Sequence, residues 1–223
     1  MGIIGVVAAL TIPNLNGSTN DMEKVAKVKK VYANLTEAYE RATAVYGPIN
    51  TWFTEYGSDR AKSSLRMGER ITEFMKVSKI CKYDKGCFSE KPLLNVKGGV
   101  EFDNYYEELL YTPLPMYILA DGTSVAFYGF NFSGHPIGYI YVDIDGPNKG
   151  KNMEGYDLFK FDINQSKDCS ISPNIFGSFR DSNSEFYVDN EYNFPTLWII
   201  EYGNLDYLKC IDDLKWNTKT SCK

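Results

Sequence analysis

Apolar and polar positions follow three different rhythms along this chain. From Met1 to Pro13 (MGIIGVVAALTIP) every residue is uncharged and almost all are apolar, and the polar, Gly-containing stretch Asn14–Asp21 (NLNGSTND) breaks the run off as a distinct element. About 20 apolar residues are needed to cross a bilayer, so this run is short for a span. No basic residue precedes it, as one would in a secretory signal peptide. From Asp21 to about Tyr46 the rhythm becomes helical. Val25, Val28, Tyr32, Leu35, Tyr39, Ala42 and Tyr46 step by three and four onto one stripe, while Lys27, Lys30, Asn34, Glu37 and Arg41 lie largely off it. Thr19, Asn20 or Asp21 is expected to cap this helix and Gly47-Pro48 to end it. The stripe covers too few heptads to force a coiled coil, which points to packing on a sheet. A second helix is expected from Ser58 to about Lys79, with Ala61, Leu65, Ile71, Phe74, Met75 and Val77 as its apolar set.

Further on, the period falls to two. Met116–Ala120 and Thr123–Tyr128 are strand-like runs joined by Asp121-Gly122, a dipeptide that favours a tight hairpin. Ile137–Val142 (IGYIYV) and Leu158–Ile163 (LFKFDI) follow as further strands, the latter alternating Phe159, Phe161 and Ile163 against Lys160 and Asp162. The expected fold is α+β: a long N-terminal helix packed on an antiparallel meander, with the Ser58–Lys79 helical segment inserted between them. Asn164 to Phe194, rich in Ser, Asn and Asp, reads as surface loop. Thr196–Tyr202 suits either a short helix or an edge strand. Two regions result: residues 1–20 as an apolar helix remnant, and residues 21–223 as amphipathic helix plus globular head.

Composition narrows the function classes. With 24 basic against 29 acidic residues the net charge is −5, which argues against a dedicated nucleic-acid binder. Aromatic residues make up 15% of the 223 positions, enough bulk for a core and a sheet. A single His, His135 in the turn-rich SGHPIG, excludes multi-His metal sites and most His-centred catalysis. No P-loop, GxSxG, HExxH or dinucleotide fingerprint occurs. The adjacent acids Glu107 and Glu108 would point apart on a helix and read as a solvated face. No enzyme activity is expected. Of the five cysteines, Cys81 with Cys87 and Cys210 with Cys222 flank short polar loops, which suits two disulfide staples if the head lies outside the cytoplasm. In a reducing compartment the same residues would be thiols, and Cys169 is left over.

The stretch Gly2-Ile-Ile-Gly-Val-Val-Ala-Ala-Leu-Thr-Ile-Pro13-Asn-Leu15 resembles the second half of the N-terminal helix of type IV pilins and type II secretion pseudopilins. In that family an apolar helix runs through an Ile-Ile-Gly and Ala-Ala core to a Pro. The resemblance implies that Ile3, Ile4, Val6, Val7, Leu10, Ile12 and Pro13 belong to a helix that lies first in membrane and then in a filament core. The family's cleavage glycine and early acidic residue have no counterpart here, so carboxylate-guided docking is assigned to no residue. About nine more apolar residues upstream would bring the run to spanning length, which suggests that Met1 is an internal methionine or that the sequence is trimmed. If the chain began at Met1, Lys24, Lys27, Lys29 and Lys30 would hold the head in the cytoplasm, and a basic leader upstream would reverse that bias. The string GNLDYLKC with the final Cys222 also resembles the ending of pilin-like proteins from some uncultured bacteria.

The loop DIDGPNKGKNMEGYDLF, from Asp143 to Phe159, resembles the one that follows the third strand of pilin-like heads, a region that binds calcium in major pseudopilins. Asp143, Asp145, Asn148 and Asp157 would offer oxygen ligands to such a hard cation. Glu154 falls at the last ligand position of an EF-hand, but Pro147 and Asn148 occupy the next-ligand and obligatory-glycine positions, so that motif is rejected. Turn-making and strand-capping explain the same Asp, Asn and Gly residues without a metal. The resemblance implies a structural subunit held in the bacterial inner membrane with a periplasmic or extracellular head. Its partners would be other pilin-like subunits, a prepilin peptidase, an assembly ATPase and its membrane platform. The competing expectation is a membrane-tethered or secreted binding module that uses the aromatic-rich loops around Phe127–His135 or Asn174–Tyr192.

Overall fold

In the computed structural model, residues 3–53, 59–102, 114–132, 135–163, 171–173 and 194–222 are described. Helix α1 runs unbroken from Ile3 to Tyr46, which is 44 residues. At the usual rise per residue such a helix is roughly 66 Å long. The polar stretch before Asp21 does not interrupt it, contrary to the expected cap at Thr19–Asp21. Asn, Ser, Thr and Asp each cost a helix only a fraction of a kcal/mol, too little to stop one whose next turns are clamped on a core. The stop comes where expected, at Gly47, whose φ is +78°. That left-handed conformation is the one that closes a helix.

The predicted stripe is the buried one, widened by two residues. Val28, Val31, Leu35, Ala38, Tyr39 and Ala42 are buried, and Val25, Tyr32 and Tyr46 pack at the margin. They lie on a six-stranded sheet, antiparallel throughout. Its strands, in spatial order, are β1 (Val77–Lys82), β4 (Met116–Leu119), β5 (Ser124–Phe132), β6 (His135–Asp143), β7 (Leu158–Ile163) and β8 (Ile171–Pro173). The expected meander is the centre of this sheet, β4 to β7. At the Asp121-Gly122 hairpin, Gly122 takes φ +89°, and the Asp121 carboxylate accepts the Thr123 N–H at 3.2 Å. The inner face presents Phe127, Ile140, Val142, Phe159 and Phe161 to α1, and the Tyr32 ring stacks on Phe161 at 5.6 Å. The C-terminal helices α3 (Phe194–Tyr202) and α4 (Tyr207–Cys210) complete that core through Trp198, Ile199 and Tyr207. Thr196–Tyr202 is thus helix. Both faces of the sheet are covered: Met116, Ala126 and Leu158 on the outer face pack with Cys81, Cys87, Phe88, Leu93 and Leu114.

Helix α2 (Arg60–Thr72) is shorter than the expected Ser58–Lys79, because Val77–Lys82 forms the edge strand β1 instead. Its buried side is Ser63, Ser64, Met67, Gly68, Ile71 and Thr72, mostly small and polar. These residues let α2 sit close on β5. The Ser64 hydroxyl accepts the Gly129 N–H at 3.0 Å, and a Cβ on Gly129 would come within 2.8 Å of Phe53 and 3.0 Å of Met67. Strands β2 (Leu93–Leu94) and β3 (Val100–Phe102) pair as a second, two-stranded sheet. Disulfides join Cys81 to Cys87 and Cys210 to Cys222, with Cα separations of 6.1 and 5.8 Å. Cys169, Glu107, Glu108 and most of the loop from Asn164 to Phe194 lie outside the described residues.

Candidate functional site

The acidic loop between β6 and β7 meets α1 where the helix docks on the head. Asp143, the last residue of β6, is buried, and its Oδ1 accepts the N–H groups of Asp145 at 3.0 Å and Gly146 at 2.9 Å. This is the aspartate turn that D-x-D-G favours. Gly146 takes φ +76° hard against the Gly122 carbonyl, where a Cβ would come to 2.5 Å. Asp157 is buried at the other end of the loop. Its carboxylate accepts the N–H of Lys151, of Asn152 at 3.0 Å and of Met153 at 2.6 Å. The Asn152 amide in turn donates to the carbonyls of Lys91 at 2.8 Å and Pro92 at 3.1 Å.

Asp145 points the other way, to α1. Lys24 donates to it at 2.6 Å and Lys27 at 3.0 Å. The Lys24 side chain is only 5% exposed, and its ammonium also lies 4.1 Å from the centre of the Tyr156 ring. Three further pairs extend this contact: Lys30 with Asp121 at 2.8 Å, Lys209 with Asp21 at 2.8 Å, and the Asn20 amide with the Tyr156 hydroxyl at 3.4 Å. Asp21, Lys24, Lys27 and Lys30 are spaced by threes, so one side of α1 carries an ionic row along the head. That spacing is visible in the sequence, but no local pattern pairs these lysines with acids of the head, and there they bear only on membrane topology.

Electrostatics separate the three aspartates. Burial and the neighbouring Asp157 push the Asp143 carboxyl up to about 8, against the pull of its two N–H donors. Burial also raises Asp157, opposed by its three backbone N–H groups. Burial works against the Asp145 carboxylate as well, but the hydrogen bonds from Lys24 and Lys27 outweigh it and hold Asp145 below the usual carboxylate range. Of the four proposed calcium ligands, Asp143, Asp145 and Asp157 therefore share the loop, each already accepting protein hydrogens, and Asn148 is exposed. Among the described residues no group of three or more His, Cys, Asp and Glu side chains is arranged to hold a metal ion.

Ile3, Ile4, Val6, Val7, Leu10, Ile12 and Pro13 lie in the first turns of α1, and His135 begins β6. Among the described residues no helix is long and apolar enough to cross a membrane. Compared with family models, with curated proteins and with solved structures, the chain matches none.

Proposed function

We propose that this protein is a structural subunit of a pilin-like filament, of the kind built by type II secretion and type IV pilus systems. The observation that carries the reading is α1 itself: one continuous helix whose uncharged, apolar beginning precedes a rear half clamped on an antiparallel sheet. Such a rod can lie in the inner membrane before assembly and exchange lipid for copies of itself afterwards, at little cost because both surroundings are apolar. The two disulfides support a head outside the cytoplasm. A prepilin peptidase, an assembly ATPase with its membrane platform, and other pilin-like subunits are the partners this reading requires. The role is assembly, not catalysis.

For the acidic loop the reading is an anchor for α1, with Lys24 as its resident cation. Calcium would have to displace hydrogen bonds that Asp143, Asp145 and Asp157 already make. Isothermal titration with Ca²⁺ tests this. Heat of binding together with a raised melting temperature would assign the loop to calcium instead.

Filament assembly in cells tests the main proposal. Leu10→Asp or Val6→Asp puts a charge into a packed apolar helix array, a costly change, and should abolish filaments while the head still folds. Filaments formed normally by both variants would refute it. Retention of ligand affinity after removal of the residues before Asp21 would instead favour the binding-module alternative.

A further inference from the structure

The two disulfides sit in opposite surroundings. Cys81 and Cys87 are 6% and 0% exposed and pack with Phe88, Leu93, Leu114 and Met116 on the outer face of the sheet. Cys222 is exposed, and its partner Cys210, the last residue of α4, is half-buried. Exchange begins when a thiolate attacks a disulfide sulfur, so access decides which of two such bonds opens first.

The exposed bond closes a flap. Residues 211–222 fold back over Trp198. Leu214 is buried, the Trp216 ring meets those of Trp198 at 5.1 Å and Tyr202 at 5.4 Å, and the Asn204 amide donates to the Thr220 carbonyl at 3.0 Å. The flap ends on α4. The Cys222 N–H donates to the carboxylate of Asp206, at the start of that helix, at 3.0 Å, and the disulfide joins Cys222 to its end. Helix α4 has only four residues and no side-chain cap hydrogen bond, so it is held by such ties and not by its own propensity. The same short helix grips the rod. Lys209 bonds Asp21 of α1 at 2.8 Å and lies 3.8 Å from Asp206, while the buried Tyr207 donates to the Gly155 carbonyl of the acidic loop.

We infer that Cys210–Cys222 is a site of thiol–disulfide exchange with a dithiol, and that its reduction loosens the hold of α4 on α1 while Cys81–Cys87 stays closed. A thiolate of the dithiol attacks the exposed Cys222 sulfur and bonds to it; the old S–S bond breaks and its electron pair leaves on Cys210, which takes a proton from water. The second thiolate of the dithiol then attacks its own sulfur in the mixed disulfide and expels Cys222 as a thiolate, which is protonated in turn. The dithiol is oxidised to a disulfide by two electrons, and the protein bond is reduced to two thiols. The inference needs only the head and the docked part of α1, and it stands apart from the filament reading.

The test uses the full chain in mild detergent, with any thiol present at the start blocked by N-ethylmaleimide. Dithiothreitol is then added without denaturant, new thiols are trapped with iodoacetamide at intervals, and peptides are mapped by mass spectrometry. Cys210 and Cys222 should be labelled at least about tenfold faster than Cys81 and Cys87. Hydrogen exchange of the selectively reduced protein should quicken at least about threefold in residues 206–222 and in the turn of α1 around Asp21, and stay unchanged in β5 and β6. Equal labelling of the two pairs, earlier labelling of Cys81 and Cys87, or no labelling of Cys210 and Cys222 before the protein unfolds overturns the inference. Selective reduction that leaves exchange around Asp21 unchanged, or that quickens it equally throughout the sheet, overturns it as well.

Discussion

Replacing Asp145 by Ala takes from Lys24 its partner at 2.6 Å and from Lys27 its partner at 3.0 Å. The Lys24 side chain is 5% exposed, so its ammonium would be left nearly dry. Breaking one side of a buried pair costs about 3–5 kcal/mol. The pair with Lys27, which is 40% exposed, adds less than about 1 kcal/mol. Asp157 lies within electrostatic reach of Lys24 and the Tyr156 ring is 4.1 Å away, which places the net loss near the lower end, about 3 kcal/mol. At about 2–4 °C per kcal/mol for a chain of this size, the melting temperature should fall by roughly 6–12 °C. Lys24→Met removes the buried charge and keeps an apolar stem, and Asp145 retains Lys27, so its cost should be smaller. In the double variant no ammonium is stranded, so it should be more stable than Asp145→Ala alone, with a coupling above about 1 kcal/mol. Thermal and urea unfolding of the full chain, followed by circular dichroism, measures all three. A loss below about 1 kcal/mol for Asp145→Ala, or costs that simply add, would refute the anchoring role. The pH dependence has a definite sign. Asp145 is held below its unfolded pKa, so its contribution is present above the ordinary carboxylate range and is lost as pH falls through the folded value.

Asp143 has the opposite sign. Its folded pKa of about 8 lies above the unfolded value, so the folded state keeps a proton that the unfolded state loses, and stability falls as pH rises from about 4 to about 8. Asp143→Asn keeps the oxygen that accepts the Asp145 and Gly146 N–H groups, and should flatten this decline; a pH–stability curve left unchanged across that range would contradict it. Gly129→Ala pushes a methyl group into Phe53 and Met67 and should cost about 1–3 kcal/mol by urea unfolding, since packed rings and backbone must shift. Cys210→Ser with Cys222→Ser opens a loop of sequence separation 12 and should lose about 3 kcal/mol, measured against the wild type under non-reducing conditions.

What can be read from the sequence is what period alone encodes. The β4–β7 meander, the Asp121-Gly122 hairpin and the stripe from Val25 to Tyr46 all rest on side chains whose burial follows their spacing. Helix α2 escapes such a reading because its buried side includes Ser63, Ser64, Gly68 and Thr72; it gains close approach to β5 rather than apolar area, and a hydrophobicity pattern cannot show that. Strand β1 reads as a continuation of that helix because Lys79, Ile80 and Lys82 are all exposed, which removes the alternation that marks a half-buried strand. At the acidic loop, D-x-D-G foretells the turn at Asp143. The role of Lys24 depends on residues 121 positions apart being brought together, and no local pattern carries that.

The ionic row has a mechanical side. It begins where the head first grips the rod, and from Asp21 to Lys30 it covers about 13 Å of helix. Its bonds reach sideways to three separate segments of the head, at Asp121, Asp145 and Lys209. Tension drawn along the rod from its apolar end would load these bonds in shear and together, ahead of most of the greasy contacts, which continue to Tyr46. Slippage of the head on its stem would then require several bonds to yield at once, and a saltier medium would lower the force at which they do.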